Sequence, residues 1–205
     1  DKCCEEGKKI FSIVATLGTT IRGAIDPIFE ISRICKERNI WLHIDGSIGG
    51  IFAITNIQIN GINNVNSADS ITINPQKILG ITKTSSILIV SNTEILKKTF
   101  LTGLPYVTSQ GNALNRGELG IQGSRPAEII KLWLGLRFLG MKGIEDILSS
   151  SIERKKLFEN SLNKDKYYLY SGPLHIISLL PKGMSKEESD DWTLNKKIIL
   201  MKNNF

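Results

Sequence analysis

Two residues of the sequence combine a reactive side chain with a position just after an apolar, strand-like run. Asp45 closes the run IWLHID (40–45), and Lys77 follows closely on the run SITIN (70–74). A lysine amine can form a Schiff base with an aldehyde, and a carboxylate can pair with the protonated ring nitrogen of such a ligand. Taken separately, Asp45 is more simply a turn cap and Lys77 one surface lysine among many. A functional role for the two residues is therefore supported only if the surrounding elements bring them together.

The residues around Asp45 favour the close approach of a flat ligand. The strand is followed by Gly46, Ser47 and the pair at 49–50, both glycines, and such small residues leave the backbone accessible. On a strand, His43 shares a face with Asp45, so we expect it to hydrogen-bond near the carboxylate and orient it. A core histidine whose partners lie elsewhere is the plainer alternative.

Apolar runs joined by a helical segment predict an α/β fold with a mostly parallel sheet. The expected strands are residues 11–15, 40–45, 70–74 and 85–91, and Asp26 and Pro27 are expected to be the N-cap and first residue of an intervening helix. Ligands of such sheets lie beyond the carboxyl ends of the strands. Under that rule the candidate functional residues that follow three of the strands lie close together. They are Thr19, Thr20, Asp45 and the loop 74–77.

The second half of the sequence changes character. Residues 102–122 have no sustained apolar period, which indicates a long loop. A helix is expected to open near Pro126 and to stop at Gly140, and a second helix to cover residues 144–162. Two short strands, at 167–170 and 174–180, are expected in a smaller unit.

Composition excludes several classes of protein. The chain has 205 residues, 41% hydrophobic and 22% charged, which is ordinary for a globular protein, and it has no apolar run long enough to span a membrane. The net charge is +6, but the lysines are scattered without aromatic interleaving, so nucleic-acid binding is not favoured. Three cysteines without a C-x-x-C pair and two histidines disfavour a zinc site and favour a reducing, cytoplasmic location. The first residue is Asp1 rather than Met, so we expect a fragment.

An ordered series of motifs resembles the group II decarboxylases that depend on pyridoxal 5'-phosphate (PLP), the family that acts on glutamate, aromatic L-amino acids, histidine and cysteine sulfinate. The similarity runs from about Ile10 to about Leu162. The matching pieces, in order, are VATLGTT (14–20), GAIDP (23–27), WLHID (41–45) with Gly49-Gly50, ADS (68–70), NPQK (74–77), IQGSR (121–125) and KLW (131–133). A single N-P-x-K would be weak, whereas the ordered series is specific.

The resemblance implies roles for individual residues. Lys77 would form the Schiff base with PLP, and Asp45 would pair with the pyridinium nitrogen. Thr20 would hydrogen-bond at the edge of the ring, and Ser47 occupies the position that packs under it. Gln76 stands where the family usually has a histidine near the cofactor phosphate.

The resemblance also implies a proton donor, an architecture and an assembly. Tyr106, in the long loop, would protonate the substrate carbon after carbon dioxide leaves, although a tyrosine that merely anchors the loop is an even alternative. The expected fold is that of the aspartate-aminotransferase class, fold type I, with residues 1–150 as the C-terminal part of a large PLP domain and 151–205 as the beginning of a small one. A homodimer acting on a small amino acid is implied.

Two departures keep other functions open. Gln76 replaces the usual histidine, and Gly46-Ser47 replaces the two alanines that usually follow the aspartate. Another PLP-dependent lyase or aminotransferase shares the aspartate and lysine, so the pair does not decide between these reactions. A non-catalytic or truncated relative is the remaining alternative.

Overall fold

The computed structural model describes residues 5–62, 64–81, 86–100, 116–122 and 126–191. These residues form six strands and three α-helices. The strands are β1 (Ser12–Thr16), β2 (Trp41–Gly46), β3 (Ser70–Ile73), β4 (Ile87–Val90), β5 (Tyr167–Ser171) and β6 (Ile177–Pro181). The helices are α1 (Ile28–Glu37), α2 (Thr93–Phe100) and α3 (Glu128–Ser161). The expected α/β class is confirmed.

The main sheet has the strand order β1-β2-β3-β4 and is mostly parallel, as expected. β1 pairs with β2 in parallel, with Thr16 opposite Asp45, and β2 pairs with β3 in parallel, with Asp45 opposite Thr72. β4 runs antiparallel to β3. A parallel neighbour needs a long crossover, usually a helix, and in its described part the connection from β3 to β4 contains only one short 3₁₀ turn, Pro75–Lys77.

Alternation along β2 separates the core from the functional face. Leu42 and Ile44 are buried, while Trp41, His43 and Asp45 are half-buried on the opposite side of the strand. The buried face packs into one apolar core, to which α1 contributes Ile28 and Cys35 and α3 contributes Ile144 and Leu148. Burying these side chains removes apolar surface from water, and this is the main force that holds the sheet against the helices.

Helix α1 forms where it was expected, but the prediction that Asp26 caps it is wrong. Pro27 precedes the first helical residue, and within the described residues no side-chain hydrogen bond caps the helix. The Asp26 carboxylate instead accepts a hydrogen bond from the Thr16 backbone N–H at 2.7 Å. The loop that returns from β1 brings the carboxylate to this N–H.

Helix α3 is kinked at Gly140, where the expected helix stop lies. Gly140 has φ 61° and ψ 176°, a left-handed backbone that glycine tolerates, and the helix resumes beyond it. α3 therefore runs through residue 150, and the division into two domains at that position stays a prediction. The first part of α3 carries exposed apolar side chains, namely Ile129, Ile130, Trp133, Leu134 and Phe138.

The second sheet is an antiparallel hairpin of β5 and β6, with Tyr167 opposite Pro181. It corresponds to the two short strands expected after the second helix. Among the helices in the described part of the chain, none is long and apolar enough to cross a membrane.

Candidate active site

The carboxyl edge of the parallel strands gathers most of the predicted site residues. Asp45 lies near the end of β2, and Lys77 lies in the 3₁₀ turn directly after β3. The two strands are neighbours in the sheet, so the two side chains belong to the same edge. The Lys77 side chain is exposed, and its charge is close enough to lower the pKa of Asp45.

Ser47 holds the Asp45 carboxylate from the turn that follows β2. The Ser47 hydroxyl donates to Asp45 Oδ1 at 2.6 Å, and the Ser47 backbone N–H donates to the same oxygen at 3.1 Å. The other oxygen, Oδ2, has no hydrogen-bond partner in the described part of the chain, so it is available to a ligand. Ser47 is thus a direct neighbour of the carboxylate.

Asp45 is held in its ionised form. The hydrogen bond from the Ser47 hydroxyl is the largest influence and lowers the pKa of the Asp45 carboxyl below its usual range. The Ser47 backbone N–H, Lys77 and His43 lower this pKa further, while partial burial opposes them. Hydrogen bonds to the charged form and nearby positive charge are the two ordinary causes of a lowered aspartate pKa. The edge of the sheet therefore presents a fixed negative charge.

His43 lies on the same face as Asp45, as expected, but its ring nitrogens contact the neighbouring strand. Nδ1 lies 2.8 Å from the Ser70 hydroxyl and Nε2 lies 3.2 Å from the Thr72 hydroxyl. Trp41 Nε1 also donates to Ser70 Oγ, at 3.0 Å. His43 is thus fixed by β3 rather than by a hydrogen bond to the carboxylate, and it acts on Asp45 through electrostatics. The sequence did not single out Ser70 and Thr72, although their alternation on β3 was a usable signal.

The turn that carries Lys77 contains two unpartnered polar atoms. Gln76 Oε1 and Asn74 Oδ1 are buried and have no hydrogen-bond partner in the described part of the chain. The Asn74 amide nitrogen donates to Ser86 Oγ at 2.8 Å, which fixes that side chain. Buried polar atoms of this kind are uncommon in folded proteins and often mark the place of a ligand or an ordered water.

Thr20 lies at the tip of a closed loop at the end of β1, hereafter the Thr20 loop (17–25). A β-bridge joins Leu17 to Ile25, and the Ala24 carbonyl accepts from the backbone N–H groups of residues 18 and 19. The Thr19 hydroxyl accepts from the Ala24 N–H at 3.0 Å, so Thr19 closes the loop while Thr20 is exposed. The loop is also bonded to β2, since the Leu17 N–H donates to the Asp45 carbonyl at 2.8 Å.

The glycines after Asp45 have a packing role. A Cβ on Gly46 would lie 2.8 Å from the Thr72 carbonyl oxygen, and a Cβ on Gly50 would lie 2.6 Å from the Gly46 carbonyl oxygen. A Cβ on Gly49 would collide with the Leu17 carbonyl. These glycines let the turn pack tightly against β3 and the Thr20 loop, which fixes the position of Ser47.

Tyr106, the predicted proton donor, lies outside the described residues, as does most of the long loop expected at 102–122. Its role stays a prediction. In the described part of the chain, no cluster of histidine, cysteine, aspartate and glutamate is suited to a metal ion.

A cleft of about 760 Å³ lies at the opposite, amino-terminal end of the sheet. Its lining includes Phe11, Arg33, Trp41 and Asp69. It contains none of the residues predicted to carry chemistry, and ligands of parallel sheets lie at the carboxyl ends of the strands. These observations favour a candidate site at Asp45 and Lys77 over this cleft.

Comparison with known proteins identifies the family of the chain. Residues 1–171 match the pyridoxal-dependent decarboxylase conserved domain. The chain is 30% identical over 166 residues to the acidic amino acid decarboxylase GADL1 of Mus musculus, covering 78% of this chain and 30% of that protein. It is 28% identical over 202 residues to an aromatic-L-amino-acid decarboxylase of Bacillus atrophaeus, covering 95% of this chain and 42% of that protein.

A solved structure agrees in fold. The crystal structure of Oryza sativa TDC with PLP and tryptamine superposes with a TM-score of 0.81 at 20% identity, over 92% of this chain and 41% of that one. This likeness confirms the expected fold class. The chain spans less than half the length of the curated relatives it matches. The ordered motifs and the matching domain together show that the chain belongs to the pyridoxal-dependent decarboxylase family.

Proposed function

We propose that the protein is a PLP-dependent carboxy-lyase that decarboxylates an L-amino acid, with Lys77 as the lysine that holds the cofactor and Asp45 as the partner of its ring nitrogen. The observation that carries the proposal is the pair itself, an ionised carboxylate and a lysine on neighbouring strand ends. When bound, PLP supplies the electron sink on which an amino acid can lose its α-carboxylate.

The residues present fit this cofactor on two observations. Asp45 has a lowered pKa and one carboxylate oxygen without a partner in the described part of the chain, which suits a protonated ring nitrogen. Gln76 has a buried amide oxygen that no described residue contacts by a hydrogen bond, and exchanging the two ends of that amide would place an N–H donor there. Such a donor suits an anionic phosphate.

Each side chain then has a definite task. Asp45 supplies the fixed negative charge, Ser47 holds that charge in place, and the hydroxyls of β3 hold the His43 ring in position. Lys77 projects from a turn stiffened by Pro75, whose fixed φ limits the freedom of the chain before it. Tyr106 as the acid that delivers a proton to the substrate carbon remains part of the proposal.

The experiment is cofactor trapping in the full-length protein. PLP is added, the mixture is reduced with borohydride and digested, and the labelled lysine is located by mass spectrometry. We expect a dominant adduct at Lys77, with little at Lys97, an exposed lysine paired with Glu94 at 2.6 Å. Asp45→Asn keeps the shape of the side chain and removes its charge, so it should weaken cofactor binding.

The contrary result is labelling spread over many exposed lysines, including Lys97, with no preference for Lys77. It would favour a non-catalytic relative. If Lys77 is labelled, the products decide the reaction. Release of carbon dioxide from an L-amino acid supports decarboxylation, whereas a keto-acid product would indicate an aminotransferase.

The proposal includes a homodimer and a cytoplasmic location. The family resemblance supports the dimer, and association of two copies is one way to bury the exposed apolar side chains on the first part of α3. Light scattering of the full-length protein tests the dimer, and a monomeric mass would contradict it. Cell fractionation tests the location.

A further inference from the structure

The connection between β5 and β6 packs on the back of the Thr20 loop. The Gly172 N–H donates to the Arg22 carbonyl at 2.5 Å, and the Ser178 hydroxyl donates to the Ile21 carbonyl. Residues 172–178 are therefore bonded to a segment about 150 positions earlier in the chain. The contact joins the second sheet to the edge that carries the candidate active site.

Leu174 is the centre of this contact. Its side chain is 0% exposed. A Cβ on Gly18 would lie 2.6 Å from Leu174 Cδ1, and a Cβ on Gly23 would lie 3.0 Å from Leu174 Cβ. Both glycines have positive φ, 102° and 64°, so the backbone of the Thr20 loop curves closely around this one side chain.

The next residue contacts the turn that follows Asp45. The His175 ring stacks on Phe52 with 5.9 Å between ring centroids and 23° between planes. Phe52 is fully buried and closes the glycine-rich turn that contains Ser47. Leu174 and His175 thus contact, side by side, the two loops that carry Thr20 and Ser47.

A buried lysine anchors the segment to α3. Lys155 is 9% exposed, and its amine donates to the Gly172 carbonyl and lies 3.7 Å from Glu159. Glu159 also accepts from the Ser171 hydroxyl at 2.5 Å. Burying an ammonium group is costly unless it is paired and hydrogen-bonded, so this arrangement holds Gly172 in one place.

We propose that Leu174 is a positioning residue for the candidate active site, holding the Thr20 loop against the carboxyl edge of the sheet from behind. The inference rests on the proposed function, since it assigns Leu174 the task of placing Thr20 for the cofactor. Leu174 acts on the edge through Gly18 and Gly23, the residues of the loop that it contacts. Displacement of a positioned group by about 1 Å can cost about 100-fold in function, so a loosened loop should have a measurable effect.

The test compares Leu174→Ala with Leu148→Ala in the full-length protein. Both leucines are 0% exposed, and Leu148 is one of the residues that α3 contributes to the core. Both variants remove the same atoms from a buried site. Hydrogen–deuterium exchange of the cofactor-free protein reports the loop directly. We expect Leu174→Ala to speed exchange at residues 18–24, and Leu148→Ala to leave that segment at the wild-type rate.

The second readout is the Kd for PLP. Leu174→Ala should weaken PLP binding by about tenfold or more, and Leu148→Ala should change it by less than about twofold. Equal effects of the two variants on either readout would overturn the proposal, as would faster exchange in the loop with unchanged PLP binding. If Leu174→Ala does not fold, Ser178→Ala takes its place, because it removes one hydrogen bond to the Thr20 loop. Ser178→Ala should also speed hydrogen–deuterium exchange in the loop. An unchanged exchange rate would overturn the proposal.

Failure of the proposed function gives a different pattern. Wild-type protein would then show no preferential trapping of PLP at Lys77. The exchange comparison uses cofactor-free protein, so it reports the docking of Leu174 on the loop in either case.

Discussion

Substituting Ser47 by alanine tests whether this residue holds Asp45 in its charged form. Alanine is the residue that the family resemblance leads one to expect at this position, so the change introduces no strain. It removes the hydroxyl that donates to Asp45 Oδ1 at 2.6 Å and retains the backbone N–H that donates to the same oxygen at 3.1 Å. The pKa of Asp45 should rise toward its ordinary value, because the hydroxyl is the largest cause of its lowering.

The expected cost follows from the charge on the acceptor. A hydrogen bond to an ionised group contributes about 1.5–3 kcal/mol, and one between neutral groups about 0.5–1.5 kcal/mol. Asp45 is half-buried and keeps one donor, so we take the low end of each range. Ser47→Ala should then lower the free energy of unfolding by about 1.5 kcal/mol while Asp45 is ionised, and by about 0.5 kcal/mol once it is protonated.

The sign of the pH dependence follows from the lowered pKa. A carboxyl with a lowered folded-state pKa stabilises the protein above its unfolded pKa, and this contribution is lost as the pH falls through the folded value. Wild type therefore loses more stability than Ser47→Ala on acidification. The gap between them should shrink by up to about 1 kcal/mol between about pH 7 and about pH 2, because the carboxyl of Asp45 titrates below the usual aspartate range.

The assay is urea unfolding of the cofactor-free, full-length protein at both pH values, repeated in an Asp45→Asn background. In that background Ser47→Ala should cost about 0.5 kcal/mol at either pH, because the acceptor is neutral throughout. A gap that stays constant with pH, or an equal cost in the Asp45→Asn background, would refute the role assigned to Ser47.

Two further predictions concern the surroundings of the site. Burial, and then the charge of Lys155, lower the pKa of His175, so the stability that it contributes is present above the unfolded pKa and lost on acidification. His175→Phe should lose less stability than wild type between about pH 7 and about pH 5 in thermal unfolding, and an equal loss would contradict this. Gly50→Ala should destabilise by about 1–3 kcal/mol in urea, since its Cβ would lie 2.6 Å from the Gly46 carbonyl oxygen. The control Gly143→Ala, in α3 with its nearest contact at 3.4 Å, should be neutral or stabilising by up to about 1 kcal/mol, and equal costs for both would contradict the packing argument.

Local patterns in the sequence predict the parts of the fold that local forces determine. The alternation along β2 predicted that His43 and Asp45 share a face, and they do, with Leu42 and Ile44 buried on the opposite side. The rule for the carboxyl ends of parallel strands put Asp45 and Lys77 at one edge, and both lie there. Gly140 was expected to break a helix, and it kinks α3.

The features that the sequence did not predict depend on partners distant along the chain. Asp26 has the residue type and position of a helix cap, yet its carboxylate is used by Thr16, because the loop between them closes on itself. The antiparallel direction of β4 follows from the connection before it rather than from its apolar residues. The docking of Leu174 on Gly18 joins segments whose separation leaves no periodicity for a pattern to detect.

The two departures from the family pattern change how charge is held at the site. Gln76 stands where a histidine is usual, and an amide neither titrates nor carries a positive charge near neutral pH. Ser47 stands where alanine is usual and adds a hydrogen bond that lowers the pKa of Asp45. A titratable group is therefore absent at the end expected to hold the phosphate, and a hydrogen bond is added at the end expected to hold the ring nitrogen. It follows that Gln76 contributes no titration to cofactor binding, and that Asp45, secured by Ser47, remains charged to lower pH than it would beside an alanine.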